Sequence, residues 1–472
     1  MNKKHTTIVW FRRDFRLRDH AALCAAAKRG AVIPVFILEP ACEKFGSAPR
    51  MRLEASLDRL SSAFDEIGLR LILRRGVASV VLHDLLEETG ADGVFWSRRY
   101  DADGVSVDTS VKSSLTSAGV EAESFPGSLM FEPWTVKTGQ GGPYRVYSPF
   151  WKAVRSQPVA LVVGAPTLSA PAFWPATENL MDWQLSADMQ RGKSVVMQYV
   201  QAGEREAQAR LETFLENRVD GYKDRRDFMG SESTSDLSDA LSLGEISPAQ
   251  CWHAARRKMQ EGSHGAEHFL KELVWREFAW HLMWHFPNLS TRNWRPEWDN
   301  FRWSEDESAP SYLAWCAGRT GEPIVDAAMR ELYVTGKMHN RARMITASYL
   351  TKHLGIHWKL GLKWFENCLI DWDPASNAMG WQWVAGCGPD AAPYFRIFNP
   401  ATQAEKFDPN EDYRRRWLAE HYKSPSETAC AFFDAAPAKW GLSPTMKYPD
   451  PIITLKQGRT AALAAYEEFK AH

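Results

Sequence analysis

No run of apolar residues in this 472-residue chain approaches the roughly 18 that a membrane helix needs. Residues 1–9 carry two lysines but no apolar stretch of the signal-peptide kind, so the expectation is a cytoplasmic protein with no membrane contact. Cysteine is sparse: Cys24, Cys42, Cys251, Cys316, Cys368, Cys387 and Cys430 are scattered, and none forms a Cys-x-x-Cys pair. That spacing argues against a zinc site or a disulfide framework, points to reduced thiols, and leaves no metal site expected. Charge of one sign is also lacking, with 57 Lys+Arg against 58 Asp+Glu and a net charge of -1. A polyanionic partner must therefore be met by a local basic patch, not by the overall field. The first strand-to-helix turn, Arg12-Arg13-Asp14-Phe15-Arg16-Leu17-Arg18-Asp19, contains no glycine. A dinucleotide pyrophosphate needs glycines there for close backbone approach, which argues against nicotinamide binding of the usual Rossmann kind. The arginines of this turn are expected on a solvated loop.

Tryptophan, by contrast, is abundant: 21 residues, of which 12 fall between Trp275 and Trp383. Core packing accounts for some of them, Trp315 and Trp364 for example, because indoles bury large areas. Crowding of this degree also fits an aromatic-walled ligand site or an electron-transfer path.

The first 125 or so residues alternate β-rich runs (6–11, 31–38, 69–73, 93–96 and 120–124) with amphipathic helical stretches (20–29, 50–67, 77–89 and 104–117). Such alternation predicts an α/β domain with a parallel, Rossmann-like sheet over residues 1–130. A proline-, glycine- and serine-rich stretch over 131–200 reads as an interdomain connector. Residues 201–472 read as an all-α domain, with helical pattern best at 204–217, 247–260, 266–286, 323–333, 339–354 and 361–370.

Four segments carry candidate chemistry. Tyr222-Lys-Asp-Arg-Arg-Asp227 precedes Ser233-Thr234-Ser235-Asp236-Leu237-Ser238, a hydroxyl-rich loop before a helix that could cradle phosphate oxygens or simply cap that helix. In Glu272-Leu-Val-Trp275-Arg276-Glu277-Phe278, helical spacing puts Glu272 and Trp275 on one face, with Arg276 beside Glu272 and Trp280 and Trp284 on a core stripe. In Thr335-Gly336-Lys337-Met338-His339-Asn340-Arg341-Ala342-Arg343-Met344, Gly336 breaks the pattern. The next helix then aligns Asn340, Arg343 and Met344, with Lys337 and Arg341 as positive rim charges. The fourth runs Asp371-Trp-Asp373-Pro-Ala-Ser-Asn377 to Trp381-Gln382-Trp383.

Together these segments resemble the photolyase/cryptochrome family, and most of all its bacterial cyclobutane-dimer photolyases of class I or class III. The resemblance runs from Val9-Trp10-Phe11-Arg12-Arg13-Asp14 to Asp408 and is most specific over 335–344 and 381–403, including Asp390-Ala-Ala-Pro-Tyr-Phe-Arg-Ile-Phe-Asn-Pro400. It implies FAD in the helical domain, contacted by Tyr222, Thr234, Ser235, Leu237, Ser238, Arg343, Asp371, Asp373 and Asn377. Asn377 would face flavin N5, where an amide suits the reduced anion and a carboxylate would favour the neutral radical. Trp381, Trp358 and Trp303 match a three-indole electron chain running from flavin to surface. Glu272, Trp275, Arg276, Asn340, Arg341, Met344, Trp383 and Gln403 would meet UV-damaged DNA and its flipped-out dimer, with Glu272 and Asn377 as candidate catalytic groups. The implied activity is light-driven splitting of cyclobutane pyrimidine dimers by a monomeric carbon–carbon lyase.

Three positions depart from the commonest bacterial pattern: Lys337 for tryptophan, Asp239 for proline, and Ala378-Met379 for Asn-Gly. Tyr100-Asp101-Ala102-Asp103-Gly104 lies where some members hold a folate antenna, without the usual Asn-Glu pair. The antenna is thus open between a folate, a deazaflavin and no second chromophore. Two other readings stay open. One is a cryptochrome-type blue-light receptor, against which the short C-terminus and Asn377 weigh. The other is an α/β transferase or hydrolase with a helical cap.

Overall fold

The computed structural model describes residues 5–390 and 395–471. Its first part is a five-stranded parallel sheet of β1 (His5–Phe11), β2 (Gly30–Leu38), β3 (Ile72–Arg75), β4 (Gly93–Ser97) and β5 (Glu121–Phe125), in the order β3-β2-β1-β4-β5. Inner strands read as near-continuous apolar runs because helices cover both faces. In register, Trp10 stands beside Val35 on one side and Trp96 on the other. The outer strand β5, Glu-Ala-Glu-Ser-Phe, carries charge on its free edge, which discourages pairing with other chains. All five strands and the intervening helices Ala21–Arg29, Ser47–Asp65, Ala78–Thr89 and Ala102–Ser117 occupy the expected stretches, with ends shifted by a few residues.

The stretch read as a connector is not a free linker. Its helix Tyr147–Val154 buries Phe150, Trp151 and Val154 in one core with Phe278 and Trp252, while Trp183 and Leu185 enter the core beside Phe36 and Phe15. Nor is the arginine-rich turn solvated as a whole: of its arginines only Arg18 is exposed. Arg16 is buried and donates to the Gly244 carbonyl (2.9 Å), and Arg13 donates to the Trp372 carbonyl (3.3 Å). These cations satisfy carbonyls of the helical half, so the turn fastens the two halves together.

The second half is helical. Ala266–His285 is its longest helix, followed by Pro323–Thr335, Asn340–Ser348, Trp358–Cys368, Pro374–Ala385, Pro400–Phe407 and Leu455–Ala471. Several of these start with proline at the first turn, where a missing N–H costs nothing. The helix expected over 339–354 leaves α geometry at Tyr349, and Tyr349–His353 form a π-helical turn. No described helix is long and apolar enough to cross a membrane.

Candidate functional site

Arg343 and Asp371 come from neighbouring segments and pair at 2.7 Å through Nη2 and Oδ2. Asp371 is buried, and its Oδ1 has no partner among the described residues. A buried carboxylate oxygen without a donor is costly, so this atom calls for an N–H or O–H from a bound group. Asp373 caps the helix Pro374–Ala385, accepting from Ser376 N (2.8 Å) through Oδ1 and from Trp280 Nε1 (3.0 Å) through Oδ2. Its oxygens are spent on the protein, so it shapes the site and holds Trp280. Asn377 donates Nδ2–H to the Leu362 carbonyl (3.2 Å), which leaves its amide oxygen turned the other way as an acceptor. An acceptor amide, an unpaired carboxylate oxygen and an arginine fit a flat heterocycle with N–H groups, as the flavin of FAD has.

The hydroxyl loop is tied to the same segment through Lys337 and Asp236. Tyr222 and Leu237 are buried beneath it, Thr234 and Ser235 are half-buried, and Ser238 is exposed. Asp236 sits at φ 52°, so the loop bends there in the left-handed region. Lys337 grips Asp236 (2.8 Å) and reaches Asp239 (4.0 Å), and Arg210 pairs with Asp239 at 2.8 Å. Two departures from the common bacterial pattern, Lys337 and Asp239, thus belong to one ion cluster. Gly336, which ends the preceding helix at φ 68°, could not bear a Cβ, because Ile370 would be 2.5 Å away.

Glu272 does not pair with Arg276. Its partners are Arg226, in direct contact, and His268 at 3.8 Å. Arg276 instead donates to the Ser128 carbonyl (2.9 Å) and lies 3.4 Å from Glu277, so the structure does not bring it to the Glu272 face. The helical spacing allowed both directions, and the Ser128 carbonyl decides. Trp275 is half-buried, with one face covered by Tyr147 (centroids 3.6 Å apart, planes 5° apart). Arg341 pairs with Asp227 (2.7 Å) and lies over Phe407, while Asn340 is exposed and Met344 half-buried on the same helix. Gln403 carries a buried, unpartnered Oε1. Trp383 donates to the Asp390 carbonyl at 3.1 Å. Residues 391–394 of the motif over 390–400 lie outside the described residues.

Trp381 is 2% exposed, Trp358 0% and Trp303 9%. Trp358 donates to Asn293 (2.8 Å) and Trp303 to the Thr351 carbonyl (3.1 Å), whereas Trp381 Nε1 is buried without a partner. His357 stands between Trp303 and Trp358, with centroids at 5.0 and 5.5 Å. Helix Trp358–Cys368 can seat Trp381 only because position 361 is glycine: a Cβ there would lie 2.0 Å from the indole. The outer indole is less open than a path to the surface implies. Trp298 stacks on it at 5.6 Å, and the C-terminal helix adds Tyr466 and Phe469 against Trp298.

Sequence reasoning missed Arg226, Tyr147, Trp280 and Asp390. Arg226 was visible within its motif, but nothing local marked it as the partner of Glu272. The segment Tyr100–Gly104 turns out to be a helix start: Asp101 accepts from Gly104 N (2.8 Å), and Tyr100 is buried among Trp134, Trp280 and Trp284.

Comparison with known proteins points to one family. The DNA photolyase model matches residues 7–171, and the model for the FAD binding domain of DNA photolyase matches 269–468. The deoxyribodipyrimidine photo-lyase of Agrobacterium fabrum is 45% identical, over 99% of this chain and 99% of its own. The chain belongs to the DNA photolyase family. Within that family, a bacterial class III photolyase from Agrobacterium tumefaciens superposes with a TM-score of 0.91 at 44% identity, covering 100% of this chain and 99% of that one. Cryptochrome-2 of Arabidopsis thaliana is more distant, at 34% identity over 90% of this chain and 72% of its own. As a photolyase-family protein, the chain joins a parallel α/β domain to a helical domain that binds FAD.

Proposed function

We propose that this protein splits cyclobutane pyrimidine dimers in UV-damaged DNA under blue light, as a class III enzyme acting as a cytoplasmic monomer. When bound, reduced FAD supplies the light-driven electron that opens the cyclobutane ring and receives it back. The observation that carries the reading is that helix Ala266–His285 serves both partners at once. Its Trp280 holds Asp373 at the flavin loop, while Glu272 and Trp275 stand on the side reached by Arg226 and Tyr147. A donor and an acceptor of electrons are thereby positioned from one rigid element.

Arg343 and Asp371 hold the flavin ring, Asn377 accepts a hydrogen bond at its N5, and the loop of Thr234, Ser235 and Ser238 takes its phosphates with Tyr222 and Leu237 beneath. Glu272 hydrogen-bonds the dimer, with Arg226 fixing the carboxyl group. Trp275 and Trp383 supply apolar surface to a pair of bases already unstacked by damage, which lowers the cost of flipping them out. Asn340 and Met344 line the same pocket, and Arg341 and Gln403 meet the strand. Trp381, Trp358 and Trp303 pass electrons inward to restore the reduced cofactor. The chain divides at about residues 130 and 200 in this reading.

A second chromophore of the folate or deazaflavin class would bind the α/β domain. What favours such a site is the ion cluster at the carboxyl ends of the strands, where Arg12 and Arg99 share Asp108 (both 2.7 Å) and lie over Trp10. The rival reading is a blue-light receptor without repair, favoured by the likeness to Cryptochrome-2. Affinity in the dark separates them. The holoprotein should bind a duplex with one thymine dimer much more tightly than the same duplex undamaged. Equal affinities would favour the receptor.

A further inference from the structure

Trp275 and Trp383 project from different helices, Ala266–His285 and Pro374–Ala385, yet their supports converge on one residue. The Tyr147 ring lies flat on Trp275 at 3.6 Å, so one face of that indole is closed and its position follows Tyr147. The backbone N–H of Tyr147 faces the Asp390 carboxylate and favours its charged form, against the desolvation that pushes this carboxyl up. From the other side, Trp383 Nε1 donates to the Asp390 backbone carbonyl at 3.1 Å. Asp390 itself adopts φ 52°, a left-handed conformation that is uncommon for a residue with a Cβ. That conformation directs carbonyl and carboxylate to separate partners. The contact path Trp275–Tyr147–Asp390–Trp383 therefore spans both indoles without passing through either helix.

We propose that Asp390 is a positioning residue that sets the separation of Trp275 and Trp383 to the size of a pyrimidine dimer. The proposal rests on the reading of those two indoles as the walls of the lesion pocket. A slot of two flat walls recognises its occupant by its width, and a shift of a fraction of an ångström removes dispersion contacts. Undamaged DNA, which leaves its bases in the stack, does not probe that width. Asp390 therefore acts on discrimination more than on general DNA affinity.

The test measures dark affinity of FAD-loaded variants for dimer-bearing and undamaged duplexes. Asp390→Ala should weaken dimer binding by about tenfold, the worth of one charge-assisted polar contact, and leave undamaged DNA unaffected. Asp390→Asn should restore most of the loss, because its amide oxygen still faces the Tyr147 N–H. Unchanged dimer affinity in Asp390→Ala, equal losses for both duplexes, or an Asn variant as poor as Ala would each overturn the proposal. Trp275→Ala and Trp383→Ala separate it from its premise. If neither weakens dimer binding, the wall reading fails and takes the proposal with it. If both do while Asp390→Ala does not, the proposal alone fails.

Discussion

Arg343 and Asp371 meet at 2.7 Å, and the second oxygen of the buried Asp371 carboxylate has no partner among the described residues. The pair is thus half of an arrangement that a bound group completes. Arg343→Ala would leave the whole carboxylate unpaired, a change that costs roughly 3–5 kcal/mol for a buried pair. The expected outcome is a purified protein with much less flavin at folded-state helix content, read from the ratio of flavin to protein absorbance. Full flavin occupancy in Arg343→Ala would remove this pair from cofactor binding.

Glu272 is held by Arg226, in direct contact, and lies 3.8 Å from His268. Glu272→Gln keeps the shape and loses the charge pairing. Repair per absorbed photon should fall several-fold, on the order of 1 kcal/mol of lost stabilisation of the charge developing on the dimer, with flavin content unchanged. Steady-state repair at saturating DNA checks this, and an undiminished yield would take Glu272 out of the chemistry.

Trp358 is fully buried between Trp381 and Trp303 in the proposed path. Trp358→Phe keeps the packing and removes the oxidisable indole. Illumination with an external reductant should then fail to reduce the oxidised flavin, while enzyme reduced chemically beforehand repairs normally. Loss of both activities would mean that Trp358 supports the fold and not the path.

Glu277 is buried, and desolvation pushes its carboxyl up to about 7 against the pull of Arg276 and the N–H groups of Phe131 and Met130. A raised value means that the folded state binds the proton more tightly than the unfolded chain. The stabilisation is complete below the ordinary glutamate value and is lost as pH rises through about 7. Glu277→Gln deletes that pH-dependent part, worth up to roughly 3 kcal/mol. Relative to the parent, the variant should gain stability between about pH 5 and pH 8, as measured by urea unfolding at both. Parallel pH profiles would contradict the assignment.

Much of the fold was legible because strands buried on both faces read as unbroken apolar runs, such as Ile8–Phe11 within β1, and because the helices keep a 3.6-residue period. The connector was not, since Phe150 and Trp151 acquire meaning only against Phe278 and Trp252. The π-helical turn at Tyr349–His353 breaks a pattern that looked continuous, for no local cue separates an i+4 from an i+5 bond. At the site, the family resemblance assigned Arg343 and Asp371 to one cofactor, and the structure pairs them. Arg276 was assigned by helical spacing, which says who can meet and not who does. The roles of Asp390, though it stands in a quoted motif, and of Tyr147 were hidden for a related reason. Their contacts depend on a positive φ and a stacked ring, and neither leaves a trace in residue order.

The central claim is light-driven dimer repair by the FAD-loaded protein. Its most direct test is the count of intact thymine dimers in an oligonucleotide incubated with the reduced holoprotein under blue light and in the dark. The account predicts dimer loss that scales with light dose and with enzyme, and none in the dark. Equal dimer counts in light and dark, with FAD bound and reduced, would contradict it.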